Sequence, residues 1–245
     1  MRIRTWGILF LAGFSVVSGI FLVITEKSFS PLRVVFLNVG QGDAILISQG
    51  KTQVLIDGGR DGKVLLGRLG RQMPFWDRQI ESVIATHPDA DHVGGLAAVI
   101  SRYHVSAYLS NGLEGESEVF RHLRETLEAD RSVGQSVIGT QSRIVFPGGA
   151  ELRVLFPENG VAKALSETNE GSIVIRLVFG DTSFLFTGDL PHEEAVLPDI
   201  APTKILKVAH HGSKYSTSDE WLSRVRPDDA IISVGKNRYG HPSDE

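Results

Sequence analysis

The segment Thr86-His87-Pro88-Asp89-Ala90-Asp91-His92 restricts what this chain can be more than any other stretch. It follows Ile80 to Ala85, an apolar run that reads as a buried strand. It precedes Val93 to Tyr103, where apolar residues recur at helical spacing. The motif therefore sits in a strand-to-helix loop, where rigid scaffolds present functional side chains. A single Asp or His there is ordinarily a turn former or a helix cap. That reading is fair for Asp91 as the cap of a helix starting at Val93, but it leaves His87, Asp89 and His92 unexplained. Two more expected strands end in the same chemistry: Ser183 to Thr187 runs into Gly188-Asp189, and Thr203 to Ala209 into His210-His211. Such strand ends deliver side chains to a common rim. In an extended turn His87, Asp89 and Asp91 converge on one side, while His92 reaches a neighbouring position. Two cations ~3.5–4 Å apart could then be bridged by Asp189 and clamped by a C-terminal histidine.

The chain has no cysteine, which excludes disulfide frameworks, thiolate metal sites and cysteine nucleophiles. Nitrogen and carboxylate donors admit Mn²⁺ and Zn²⁺ alike.

The remaining pattern is strand-rich with interspersed helices. Short β-rich runs are expected at Arg33 to Asn38 and Ala44 to Ser48, broken by Gly40-Gln41-Gly42-Asp43. Gln53 to Ile56 continues the sheet up to Asp57-Gly58-Gly59, and Gly62 to Gln72 reads as a helix. Further strands fall at Arg143 to Phe146, Glu151 to Phe156, Ser172 to Phe179 and Ala230 to Val234. A polar loop runs from Glu158 to Gly171, and Glu220 to Val225 forms a short helix. Gly180-Asp181 is a hairpin signal between two of the strands. The expected architecture is α/β: two sheets packed face to face with helices outside, in one domain of the 245-residue chain.

Trp6 to Ile24 holds only apolar or small residues apart from two serines, and Arg2 and Arg4 precede it. At ~20 residues per bilayer span it is long enough to cross, and the arginines hold its start in the cytoplasm. The expected organisation is a cytoplasmic stub (1–5), a transmembrane anchor (6–24), a linker (25–32) and an extracytoplasmic hydrolase domain (33–245). A cleaved signal peptide is the rival reading and would make the domain secreted, but Val23 to Lys27 offers no convincing small-x-small cleavage site.

Taking Arg2 and Arg4 from the 25 basic residues leaves 23 against 29 acids, so the domain lacks an overall basic footprint. Basic residues nonetheless outnumber acids from Lys204 to His241, while acids concentrate between Glu114 and Asp130.

The loop motif resembles the T-H-x-H-x-D-H hallmark of the metallo-β-lactamase superfamily, with Asp89 in place of the second histidine. Five further motifs follow in order: Phe36 to Ala44, Leu55 to Gly59, Leu185 to Asp189, Lys207 to Ser213 and Asn237 to Pro242. Together they resemble the extracellular hydrolase domain of ComEC/Rec2 DNA-uptake proteins. The resemblance implies an αββα sandwich and a metal set of His87, Asp89, Asp91, His92, Asp189 and His211. It gives catalytic roles to Asp91 and to His210, which faces the substrate phosphate. Asn169, Ser172, Lys214 and His241 are the expected substrate-side residues, and Asp57 fixes the loop through hydrogen bonds. The implied cofactors are two divalent ions, Mn²⁺ or Zn²⁺. The implied activity is phosphodiester hydrolysis of DNA, single-stranded in the uptake setting, by a metal-bound hydroxide outside the cytoplasmic membrane, beside other DNA-uptake components. Two alternatives remain at this stage: a hydrolase of a lactam, lactone or phosphocholine ester, and a non-catalytic DNA-binding or assembly module. The channel of that family is absent, and the chain stops at Glu245 where the family usually continues, so a C-terminally truncated chain is expected.

Overall fold

A computed structural model describes residues 30–158 and 167–244. The expected anchor at 6–24 lies outside the described residues, as does part of the polar loop. Among the described residues no helix is long and apolar enough to cross a membrane.

The first sheet contains β1 (Leu32–Phe36), β2 (Ile45–Gln49), β3 (Thr52–Ile56), β4 (Gln79–Ala85), β5 (His104–Ser110) and β6 (Gly134–Val137), in that spatial order. β1, β2 and β3 are antiparallel neighbours, and β3 to β6 run parallel. The second sheet contains β7 (Arg143–Val145), β8 (Glu151–Phe156), β9 (Val174–Phe179), β10 (Thr182–Phe186), β11 (Ile205–Lys207) and β12 (Asp229–Ile231). It is antiparallel from β7 to β10 and parallel from β10 to β12. The helices are α1 (Gly62–Gln72), α2 (Ala90–Val93), α3 (Leu96–Arg102), α4 (Glu118–Ala129), α5 (Glu193–Val196) and α6 (Asp219–Val225).

Three apolar layers explain why the central strands read as continuous hydrophobic runs. Ile45 and Ile47 of β2 and Val54 and Ile56 of β3 turn inward to meet Ile175, Leu177 and Phe186 of the second sheet. The alternate residues Leu46 and Leu55 face outward onto Leu65, Leu69, Leu96 and Phe120 of the helices. Val174, Leu185 and Leu206 cover the fully buried Trp221 of α6. Both faces of each sheet are thus covered, which removes the polar alternation of a one-sided sheet.

The helix expected at Val93 to Tyr103 is instead two pieces separated by Gly94 and Gly95. A side chain on Gly95 would come within 2.2 Å of the Gly58 carbonyl oxygen, so the loop after β3 presses directly on this backbone. The hydrogen bonds Gly58 N–H to His92 O (2.6 Å) and Gly95 N–H to Gly59 O (3.0 Å) fasten the two loops together. α4 and strands β5 and β6 were not foreseen. The acidic stretch Glu114 to Asp130 is largely the solvent side of α4, whose other side buries Phe120, Leu123 and Leu127 and whose Ser117 cap accepts from Phe120 N–H. The last strand is shorter than expected and ends at Ile231.

Candidate metal centre

β3 and β4 run parallel and end side by side, bringing Asp57 next to Thr86. Asp57 is fully buried and accepts hydrogen bonds from Thr86 N–H (2.8 Å) and Thr86 Oγ1 (2.7 Å). Its second oxygen also lies 2.8 Å from His92 Nδ1, which turns His92 Nε2 toward the centre. Asp57 therefore orients the loop and one imidazole, which extends the loop-fixing role expected of it.

From the second sheet, Asp189 arrives after β10 and the His210-His211 pair after β11. Asp189 Oδ2 lies 3.3 Å from His92 Nε2 and 3.2 Å from His211 Nε2, and the two histidine Nε2 atoms are 3.4 Å apart. Asp91 Oδ2 is 3.5 Å from His211 Nε2. His211 Nδ1 is 2.8 Å from Ser233 O, which leaves Nε2 facing the cluster. His210 and His211 both have left-handed backbone, with φ of 47° and 54°.

The tightest group is Asp43, His92, Asp189 and His211, all buried, whose potential ligand atoms lie within 4.8 Å of one another. Asp43 was not among the expected site residues. It comes from the Gly40 to Asp43 turn, and Gly42 is required there: at φ +113°, an added side chain would meet Asp91 O at 1.9 Å. Asp43 is bonded to the buried Lys207, whose ammonium also donates to Gly188 O (2.9 Å) and stands 3.6 Å from Asp189 Oδ1. A buried lysine this close to the expected ligand Asp189 was not foreseen. The available signal was a lysine inside an otherwise apolar strand, Ile205-Leu206-Lys207-Val208.

The other expected residues divide into near and far. The His87 ring lies 4.1 Å from that of His92, and its Nε2 is 3.9 Å from Asp89 Oδ2. Asp89 also accepts from Thr168 Oγ1 at 2.7 Å, a contact not foreseen. His210 Nε2 is 3.9 Å from Asp189 Oδ2, on the solvent side, with His241 packed against its ring at 5.2 Å. Ser172 is buried and accepts from Asp189 N–H (3.1 Å), which fixes the backbone that carries this carboxylate. Asn169 Oδ1 is buried without a hydrogen-bond partner. Lys214 stands apart, exposed, with its ammonium 5.1 Å from the Tyr215 ring.

The electrostatics fit a cation. Burial opposes charge on His92, yet Asp189 and Asp57 raise it well above its ordinary value. Burial likewise opposes His211 protonation, but Asp189 and Asp91 outweigh it and push His211 up to about 9. Burial would raise Asp189, and His92 and His211 hold it well below the carboxylate range. His87 is lowered, first by burial and then by its neighbour His92. His87 Nε2, Asp189 Oδ1 and Asp43 Oδ1 are buried and have no hydrogen-bond partner. Protons on His92 and His211 thus occupy positions that divalent ions would take, and the orphaned atoms supply further donors.

Residues 37–236 match the family described as the metallo-beta-lactamase superfamily, and the chain belongs to it. It is 30% identical over 229 residues to ComE operon protein 3 of Bacillus subtilis, covering 84% of this chain and 29% of that protein. It is 31% identical over 223 residues to Recombination protein 2 of Haemophilus influenzae, covering 88% of this chain and 26% of that one. The chain therefore spans less than a third of the length of these relatives. Among solved structures, the short form of human tRNase Z is similar with a TM-score of 0.52 at 12% identity, over 83% of this chain and 93% of that one. The metallo-beta-lactamase fold protein YhfI of Bacillus subtilis has a TM-score of 0.52 at 15% identity, over 72% and 70%. These two likenesses establish the shared fold.

Proposed function

We propose that the chain is a metal-dependent phosphodiesterase that acts on DNA outside the cytoplasmic membrane, to which residues 6–24 anchor it. The observation that carries this reading is the buried Asp43/His92/Asp189/His211 cluster, flanked by the partnerless His87 Nε2, at a rim reached from both sheets. Similarity to proteins named for competence and recombination supports DNA as the substrate.

His87 and Asp89 would hold one ion, Asp91, His92 and His211 a second, and Asp189 would serve both. When bound, two divalent ions supply Lewis acidity and an activated water. The carboxylate at Asp89 adds negative charge and oxygen character, which suits harder ions and phosphate chemistry. His210, half-buried beside Asp189 and backed by His241, is placed to hydrogen-bond or protonate a phosphoryl or leaving-group oxygen. Burial lowers His210, so near neutral pH the ring is an acceptor until it takes a proton.

The test is hydrolysis by the purified chain, with Mn²⁺ or Zn²⁺, of single-stranded DNA, bis-p-nitrophenyl phosphate and nitrocefin. Metal-dependent cleavage of the first two supports the reading. Cleavage of nitrocefin alone transfers the protein to lactam chemistry, and metal binding without any turnover makes it a binding module. A reporter fused after Ser30 should be active outside the cytoplasm.

A further inference from the structure

The strand directions separate the domain into two ends. β3 and β4 finish at the metal cluster, so their first residues, Thr52 and Gln79, mark the opposite end. Leu32 pairs with Gln49, and Gln49 with Thr52, so the chain joins the sandwich at that opposite end too.

The same end carries the largest exposed apolar side chains among the described residues. Phe75 and Trp76, between α1 and β4, are 80% and 72% exposed and pack edge to face at 4.7 Å. Arg33 ties the start of β1 to the end of α1 through Gln72 Oε1 (2.7 Å) and Gln72 O (3.3 Å). Ser30, Pro31 and Trp76 line one groove of ≈ 720 Å³ together with Lys51 and the carboxylates Asp77 and Glu81.

The apolar run ends at Ile24, six residues before Ser30. Six residues reach at most ~20 Å even when fully extended. If 6–24 spans the bilayer, the β1 end of the domain is held at the headgroup layer, where Trp is enriched and basic side chains are attracted. An exposed Trp-Phe pair matches that layer chemically.

We propose that the end of the domain bearing Phe75 and Trp76 rests on the lipid headgroup layer, so that the metal cluster faces away from the membrane. This rests on the anchored reading of residues 6–24. It adds an orientation that the anchor alone does not impose.

The experiment places the full chain, carrying Trp6→Phe, in phosphatidylcholine/phosphatidylglycerol vesicles whose acyl chains are brominated near the headgroups. Trp76 emission is taken as the difference between this chain and one carrying Trp6→Phe and Trp76→Phe. The buried Trp221 is common to both. Trp76 emission should be lost with brominated lipid and persist with aqueous iodide. If the chain floats with the vesicles but Trp76 responds to iodide alone, the orientation is wrong while the anchor stands. If neither quencher reaches Trp76, protein covers the pair, and the lipid assignment is overturned. If the chain does not float with the vesicles at all, the anchored reading itself fails and takes this inference with it.

Discussion

In the first-sheet half of the site, the loop carrying His87 to His92 is held by hydrogen bonds to one buried carboxylate, Asp57, and by a close backbone contact at Gly42. In the second-sheet half, His210 and His211 sit in consecutive left-handed conformations, each of which costs on the order of 1–3 kcal/mol in a non-glycine residue. That half is held by Ser233 O on the His211 ring and by Lys207 on the loop at Gly188. The first half has one left-handed residue, Asp57 (φ 57°), and an oriented ligand, and the second is a turn with two in succession, clamped by its surroundings. Damage to the first should appear mainly as weaker affinity and stability, and damage to the second as lost ligands.

The two halves meet at Asp189, so its substitution has the largest expected effect. Asp189→Asn should abolish turnover and reduce bound metal while circular dichroism stays native-like. Full metal content and activity in that variant would remove Asp189 from the bridge.

Within the second-sheet half the two histidines should behave differently. His211→Ala should lose metal and activity together, because His211 Nε2 points between Asp91 and Asp189. His210→Ala should retain metal and lose kcat by about 10²–10⁴-fold, as for an acid or base. Metal stoichiometry by mass spectrometry with paired kinetics decides it, and metal loss confined to His210→Ala would reverse the roles.

These contrasts also show what could be read beforehand. The ligand-bearing loops were legible because strand-end His and Asp clusters violate the usual pattern of apolar strands ending in Gly or Asn turns. The sandwich was legible because both faces of β2, β3 and β9 are covered, which writes near-continuous apolar runs into the chain. The bond from Asp189 N–H to Ser172 was not legible, because a serine after a polar loop carries no sign of the neighbour it bonds. Asp43 and Lys207 were passed over for a related reason. They are far apart in sequence and belong to different sheets, and only the packing of one sheet on the other makes them partners.

In the first-sheet half, Asp57→Ala should leave Thr86 N–H, Thr86 Oγ1 and His92 Nδ1 buried without their acceptor. Each unsatisfied buried group costs about 1–3 kcal/mol, so the metal-free chain should lose about 3 kcal/mol or more in denaturant unfolding. Asp57→Asn should bind metal about 10–100-fold more weakly, as expected when the partner that orients a ligating histidine is altered. Unchanged values in both variants would deprive Asp57 of its orienting role.

The pH response of the metal-free chain follows from His211. Its folded value of about 9 lies above the ordinary 6.5, so its contribution to stability is complete below pH 6.5 and is lost as pH rises through about 9. Bound metal replaces the proton, so the loaded protein should lack this loss over the same range. Thermal melts at several pH values, with and without metal, give the two curves; parallel curves would mean that His211 does not exchange its proton for metal.

The smallest effect on metal affinity, and the sharpest, concerns the ion pair that both halves share. Lys207 lies between Asp43 and Asp189, bonded to the first and 3.6 Å from Oδ1 of the second. Asp43 therefore holds the ammonium closer to itself than to Asp189, and the two charges of the pair should act on metal binding with opposite signs. In Asp43→Asn the ammonium keeps only Asp189 as a charged partner and competes with metal for it, so affinity should fall by about tenfold, or 1.4 kcal/mol. In Lys207→Met the competitor is gone and two carboxylates face His211, so affinity should hold or rise. The metal-free form of that variant should nonetheless lose about 3–5 kcal/mol, because a buried carboxylate is left unpaired. Asp43→Asn combined with Lys207→Met removes both charges and should return affinity and melting temperature most of the way to those of the unsubstituted chain. Competition with a chelating dye measures the affinities, and thermal denaturation measures the stabilities. A pair that only supports the fold would weaken metal binding in both single variants in step with their melting temperatures, and that result would leave Asp43 and Lys207 without a role in setting the charge of the site.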